Sequence, residues 1–413
     1  MTRARGTPMK VYVAAGCCCS RRFLDAERQR EFFAANGHTV TGDIATADVC
    51  VFHSCGVNEA SQGHSLREIR KVLAGKKPDA RLYVAGCLPG MNPALLESMQ
   101  IAGSFVPFEQ ARIDEIFPAA RRWADIPDAN VFVSPRAAPS LFRRSSKERG
   151  SGAWRQVFLG HLFDRFMNAR GRFFIRVGNG CLGSCAYCGH RFSTGPLKSK
   201  PLETVRGELM QGLSRGYRSM HLCGEDTGCW GQDIGDSIFH LLDAVAGQEG
   251  PFTISVNDCN PRWLVGRYAE LAGILKKGKI VQIQLPVQSG SERILRAMDR
   301  KYSRAEVMEM LIRLRREFPA LRLLSQMIVG FPGEGEEDVR ETIDFLNGVR
   351  FDYVHFFPFT AIANTPASLL PATVPGTLVA ARKERFERLQ TRISLRRWLL
   401  KGRRVVRTPS APK

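Results

Sequence analysis

Apolar residues recur along the chain in two rhythms. Short apolar runs closed by glycine or proline alternate with longer stretches in which apolar residues return every three or four positions. The first rhythm is that of buried strands, the second that of amphipathic helices. Residues 10–15, 48–52 and 81–85 read as strands, with helices over 21–36 and 59–74 between them. Such alternation predicts a small parallel α/β domain. A second series of strands follows at 172–177, 219–222, 252–256, 281–285, 323–329 and 353–357. Ser303-Arg-Ala-Glu306 forms a capping box before a helix carrying Val307, Leu311 and Leu314 on one face. Glu336, Glu337 and Asp338 fill the first turn of the next helix, where carboxylates complement the dipole. Six β/α units predict a partial (β/α)6 barrel, whose active site belongs at the carboxyl ends of its strands.

Residues 134–152 are rich in Pro, Ser, Arg and Gly and read as a linker. Residues 154–169 have helical spacing through Phe158, Leu162 and Phe166. The expected organisation is an α/β domain over 1–133, a linker and helix over 134–170, the barrel over 171–376, and a basic helix and tail over 377–413.

The 413 residues suffice for two or three domains with cores of their own. No apolar run reaches the ~18 residues of a membrane span, and 11–15 is too short for a secretory signal. A cytoplasmic monomer without membrane attachment is expected. In that reducing compartment the twelve cysteines read as metal or redox ligands rather than disulfides. The net charge of +20 points to a polyanionic partner, most simply nucleic acid. From Arg382 to Arg407, eleven cations face only Glu384 and Glu387. This is either a phosphate-contacting element or a solvated basic face.

Cys181, Cys185 and Cys188 form a C-x3-C-x2-C loop just after a strand of the second series. Three thiolates can hold three irons of a [4Fe–4S] cubane and leave the fourth open, whereas a closed cluster wants four. With His190 the same loop could instead make a Cys3His zinc site. Cys17, Cys55 and Cys87 each follow a strand of the first series. In a parallel sheet they converge at the carboxyl edge, a second three-thiolate site. Cys50, Cys223, Cys229 and Cys259 read by default as buried structural thiols. Gly224-Glu225, Gln288-Ser289-Gly290 and Val329-Gly330 follow later strands. Their glycines admit a ligand close to the backbone, and Glu225, Gln288 and Ser289 could fix a ribose and an amino acid moiety.

The loop, with Tyr187 before its third cysteine, resembles the signature of radical S-adenosylmethionine (SAM) enzymes. The wider pattern resembles the methylthiotransferase family over about residues 9–395. It is carried by Gly16-Cys17 with Asp25-Ala-Glu27, Ser54-Cys55-Gly-Val-Asn58, Val84-Ala-Gly-Cys87, Leu285-Pro-Val-Gln-Ser-Gly-Ser291, Met298-Asp-Arg300, Ile328-Val-Gly-Phe-Pro-Gly-Glu334 and Asn364-Thr-Pro-Ala367. Pro196-Leu-Lys-Ser-Lys-Pro201 and Glu225-Asp-Thr-Gly228 look most like the branch acting on threonylcarbamoyladenosine in tRNA.

The resemblance implies two [4Fe–4S] clusters and SAM. Cys181, Cys185 and Cys188 would hold the catalytic cluster. Cys17, Cys55 and Cys87 would hold an auxiliary cluster carrying the sulfur to be inserted. SAM would be contacted by Tyr187, Gly224, Glu225, Gln288, Ser289, Arg300, Val329 and Gly330. The product would be a methylthio group at C2 of a modified tRNA adenosine, with a flavodoxin or ferredoxin-type electron donor. A peptide or protein substrate is the alternative, and a non-catalytic zinc-binding RNA protein is the rival of another class. The family has a single cysteine where this chain has Cys17-Cys18-Cys19, so the third auxiliary ligand is open. The family also commonly ends in a small β-barrel RNA-binding domain, whose phosphate-contacting role is expected to fall here to the basic helix and tail, unless the substrate is not tRNA.

Overall fold

The computed structural model describes residues 7–16, 19–131, 171–371 and 373–400. Cys17, the linker at 134–152, the helix at 154–169 and the tail from 401 lie outside the described residues. The chain divides into two compact units, one of Met1–Phe174 with Phe192–Gly195, the other of Ile175–Arg191 with Pro196–Lys413.

The first unit is a five-stranded parallel sheet in the order β2-β1-β3-β4-β5. Its strands are β1 (Lys10–Ala15), β2 (Thr39–Thr41), β3 (Val49–Ser54), β4 (Arg81–Gly86) and β5 (Gly103–Phe105). Helices α1 (Ser20–Ala35) and α2 (Glu59–Gly75) make the crossovers. The central strands are apolar on both faces because both faces are covered. Val11, Val13, Val49 and Val51 pack with Phe32, Phe33, Phe117 and Trp123. The alternate residues Cys50, Phe52, Leu82 and Val84 pack with Ile69, Val72 and Leu88. Asn58 caps α2 by accepting from the backbone N–H of Ser61 at 2.8 Å. The edge strands β2 and β5 were not expected from the pattern. At three residues each they are too short to show an alternation.

A second sheet has six strands in strict chain order, β6 (Arg172–Arg176, which begins in the last residues counted with the first unit), β9 (Ser219–Cys223), β10 (Thr253–Val256), β11 (Ile280–Gln284), β12 (Arg322–Val329) and β13 (Tyr353–Pro358). A short ribbon of β7 (Gly178–Asn179) and β8 (Lys198–Ser199) pairs antiparallel beside it. Helices α3 (Leu202–Ser214), α4 (Ile238–Ala246), α5 (Tyr268–Leu275), α6 (Arg304–Glu317) and α7 (Glu336–Val349) connect the strands. Sequential neighbours, all parallel where β9 to β13 pair, are the arrangement of an open (β/α)6 barrel. The capping box at α6 is present: Ser303 accepts from Glu306 N, and Glu306 accepts from Ser303 N. The chain of the second unit ends its described part in α8 (Gly376–Leu400). Arg382, Phe386, Gln390 and Ile393 form the buried face of α8, and Phe386 stacks on Phe356 of β13 at 5.5 Å between centroids.

Candidate active site

The Cys181 loop leaves the sheet after β7 and is held at several points. Gly180 takes a left-handed backbone (φ 77°), and its N–H donates to Glu225 Oε2 at 3.1 Å. Ala186 N–H donates to Met298 O, and Ala186 O accepts from Ala367 N. Ser184 Oγ donates to Asp299 Oδ2. Glu225 therefore anchors the start of the loop, and two other segments clamp its middle.

The sulfurs are met by donors. Gly183 N–H points at Cys181 Sγ at 3.1 Å. Arg300 is buried, and all five of its N–H groups are used inside the protein. Nη1 donates to Cys185 Sγ at 3.1 Å and to Tyr187 Oη at 3.3 Å. Nη2 donates to Asn260 Oδ1 and Pro286 O, and Nε to Tyr302 Oη. With every N–H met inside the protein, Arg300 has none left over for the SAM contact expected of it. The side-chain hydrogen bond from Cys229 holds the Cys181 thiol below its ordinary range. Burial, with Cys185 nearby, pushes the Cys188 thiol up to about 12.

His190 Nδ1 stands 3.7 Å from Cys188 Sγ. Among the described residues no three His, Cys, Asp or Glu gather closely enough to share one ion. Three partly exposed thiols, supported by a backbone N–H and a buried cation, are a donor set that fits a thiolate-ligated iron–sulfur cluster.

The strand ends around the loop are polar and strained. Asn257 Oδ1, just past the end of β10, is buried without a hydrogen-bond partner, and so is Gln282 Nε2 in the middle of β11. An orphaned buried polar atom at the carboxyl end of a barrel strand calls for a partner. Gln288 holds a left-handed backbone (φ 78°), as do Asp258 (φ 52°) and Asp299 (φ 56°). Such conformations in non-glycine residues cluster at functional sites. Ser289 Oγ accepts from Ser291 N at 3.1 Å and shapes the turn. Gly224 is buried, and a Cβ built on it would be in ordinary contact with Gly178 O at 3.5 Å and with Thr227. Val329 is fully buried. Gly330 has φ 77°, and a Cβ there would meet Val379 of α8 at 2.3 Å, so its glycine answers first to packing.

Asp226 is a residue of the site that the sequence pattern gives no role of its own. It is buried beside the loop, where Oδ1 accepts from Gly228 N and Asn260 N and Oδ2 from Trp263 Nε1. Cys181 Sγ lies 3.9 Å from its Oδ2. Desolvation raises its pKa, and those hydrogen bonds oppose the rise. Its position directly after a strand end was the available signal.

In the first unit, Ser54 pairs with Gly86, which places Cys55 and Cys87 side by side at the carboxyl ends of β3 and β4. Cys87 N–H donates to Ser54 O. Gly86 must be glycine: φ is 101°, and a Cβ would lie 2.3 Å from Ser54 O. Ser65 brackets Cys55, donating to its O and accepting from its N–H. Burial pushes the Cys87 thiol up to about 12, with Cys55 and Cys19 adding to the rise and Arg22 opposing it. Cys19, which precedes α1, thus belongs to the same neighbourhood, and Cys17 is outside the described residues.

An open six-stranded parallel barrel with three thiols in the loop after its first strands defines a radical SAM enzyme. The pattern of the Radical SAM superfamily matches residues 175–346, and that of the uncharacterized protein family UPF0004 matches 10–106. The chain is 31% identical over 388 residues to a protein of Pyrococcus horikoshii named "Probable threonylcarbamoyladenosine tRNA methylthiotransferase", covering 94% of this chain and 85% of that one. It is 28% identical to the ribosomal protein uS12 methylthiotransferase RimO of Pelobacter propionicus, covering 92% and 81%. A solved radical SAM methyltransferase, TsrM from Kitasatospora setae, bound to cobalamin and a [4Fe–4S] cluster, shares the fold at a TM-score of 0.59 and 18% identity, over 88% and 77% of the two chains. The chain belongs to the radical SAM methylthiotransferase family. It is an enzyme of the transferase class, and members of the family bind SAM and [4Fe–4S] clusters. No helix among the described residues is long and apolar enough to cross a membrane.

Proposed function

We propose that this enzyme places a methylthio group on C2 of a modified adenosine in tRNA. The observation that carries the reading is the Cys181 loop itself: three thiols in one clamped segment, with the buried Arg300 cation on Cys185 Sγ. When bound to Cys181, Cys185 and Cys188, a [4Fe–4S] cluster with SAM supplies a 5′-deoxyadenosyl radical able to take hydrogen from an unactivated C–H bond.

The chain's own residues do the rest. Glu225 fixes the loop through Gly180 N. Asn257 Oδ1 and Gln282 Nε2 offer an acceptor and a donor to the polar parts of SAM, and Gly224, having no Cβ, lets it come close to the backbone. Gln288 and Ser289 shape the wall after β11. Val329 and Gly330 close the side beneath α8, and Tyr187 ties the loop to Arg300. Cys55, Cys87 and one thiol of the run from Cys17 to Cys19 hold the auxiliary cluster in the domain over 1–133. The barrel over 171–376 carries the radical chemistry.

The tRNA substrate is supported by the threonylcarbamoyladenosine relative and by the net charge of +20. The relative named for ribosomal protein uS12 supports a protein substrate as the second reading. A flavodoxin or ferredoxin-type reductant, a monomeric state and a cytoplasmic location complete the proposal. Anaerobic reconstitution tests it. About eight irons per chain are expected, with 5′-deoxyadenosine released from SAM faster in the presence of tRNA than of an uS12 peptide. About four irons, or stimulation by the peptide alone, would overturn it.

A further inference from the structure

Helix α8 uses its cations in two ways. Those toward the barrel are spent on the fold: Arg382 pairs with Glu334 and Glu336, and Arg397 with Asp352. Arg385, Arg388, Arg392 and Arg396 are exposed. They follow one another by three or four residues and so form one stripe along the helix. At 1.5 Å per residue the stripe is ~16 Å long. Arg385 meets Glu336 at 3.4 Å, and Arg388 meets Glu384 at 2.5 Å, both with half or more of the side chain in water. Exposed pairs of this kind are weak and readily exchanged for a better anion. Arg392 and Arg396 have no carboxylate partner among the described residues. Beside the stripe runs a groove of about 430 Å³, lined by Ile343 of α7, by Ala381 and Leu389, by Arg385, Arg388 and Arg392, and by Glu384, the carboxylate that Arg388 already pairs with.

We propose that this stripe and groove dock the sugar–phosphate backbone of the RNA substrate, a step that rests on the tRNA reading above. Guanidinium groups bind phosphate oxygens in pairs and lie flat on bases. Ile343 and Leu389 give an apolar floor on which an unpaired nucleoside rests between the charged rims. A continuous line of like charges, in a chain with sixty basic and forty acidic residues, matches a polyanion with regular charge spacing better than an acidic peptide, whose carboxylates are irregular.

The test uses the reconstituted full-length protein and a fluorescently labelled full-length tRNA transcript, titrated from ~50 to ~200 mM salt. The triple variant Arg388→Ala, Arg392→Ala, Arg396→Ala is compared with a control that loses the same charge elsewhere, Arg206→Ala, Arg267→Ala, Arg350→Ala. The stripe variant is expected to bind at least ~10-fold more weakly, with a slope of log affinity against log salt shallower by ~2, as the loss of three phosphate contacts requires. Its SAM cleavage without RNA stays at the wild-type rate, which shows that the barrel is folded. Equal affinity and slope in the stripe and control variants would overturn the proposal and leave the tRNA reading standing. A wild-type protein that does not bind tRNA but binds an acidic peptide through these arginines would overturn both.

Discussion

Arg300 Nη1 donates to Cys185 Sγ at 3.1 Å, and this contact joins the loop after the first barrel strands to the segment after β11. Arg300 spends its other four N–H groups on Tyr187, Tyr302, Asn260 and Pro286. It is a buried cation whose position is over-determined, set against a thiol that iron would turn into a thiolate. Hydrogen bonds to cluster sulfurs and nearby charge are two of the levers that set reduction potential. Arg300→Gln is expected to lower the midpoint potential of the cluster by tens of millivolts and to reduce iron retention. Arg300→Lys keeps the charge and loses the fork. Its potential should stay nearer wild type while the loop loosens. Redox titration followed by electron paramagnetic resonance reads both. An unchanged potential in Arg300→Gln would remove Arg300 from the site's electrostatics.

The two cysteine sets should separate by function. Cys181→Ala is expected to abolish SAM cleavage and leave about four irons per chain. Cys55→Ala should also leave about four, yet still cleave SAM to 5′-deoxyadenosine, and fail to insert sulfur. Iron analysis with product chromatography decides this. A Cys55→Ala protein that still methylthiolates its substrate would show that the auxiliary site lies elsewhere.

Much of this was legible in the chain because parallel sheets buried on both faces write themselves as unbroken apolar runs. All three central strands of the first unit and all six barrel strands lie where the pattern put them, displaced by a residue or two at their ends. The edge strands Thr39–Thr41 and Gly103–Phe105 were illegible because three residues carry no period. The pairing of Ser54 with Gly86, which aligns Cys55 and Cys87, could be expected from topology. The burial of Asp226, the orphaned Asn257 Oδ1 and the left-handed backbone of Asp258 and Asp299 could not. They are properties of where segments distant in sequence meet. The same holds for Arg300, whose five partners are spread over more than a hundred residues of chain.

His355 in β13 gives the barrel a pH dependence. Burial, aided by Lys383, lowers its pKa from 6.5 to about 4. The folded protein therefore holds the ring neutral where the unfolded chain would protonate it. The contribution to stability is complete above pH 6.5 and is lost as pH falls from there toward 4. At 1.36 kcal/mol per unit it amounts to about 3 kcal/mol at most. Thermal melts across this window should show a falling Tm, and His355→Gln should flatten the decline. A variant as acid-sensitive as wild type would place the dependence on other groups.

Arg382 and Glu334 form a pair in which both side chains are almost wholly buried, at 3.0 Å. Glu334 also accepts from Gly330 N, so the pair ties α8 to the loop after β12. Removing one member of a buried pair leaves an uncompensated charge and costs about 3 to 5 kcal/mol. Arg382→Met is expected to lose about that much by denaturant unfolding. The double change Arg382→Met, Glu334→Gln should recover part of it. Additive losses in the double variant would mean that the two side chains act independently.

Transfer of a methylthio group to a tRNA adenosine is read by mass spectrometry of nucleosides digested from tRNA incubated anaerobically with the reconstituted protein, SAM, reductant and a sulfur source. One new adenosine derivative is expected, heavier by a methylthio group in place of the C2 hydrogen, and absent with Cys181→Ala. SAM cleaved to 5′-deoxyadenosine with no tRNA nucleoside changed in mass would contradict it.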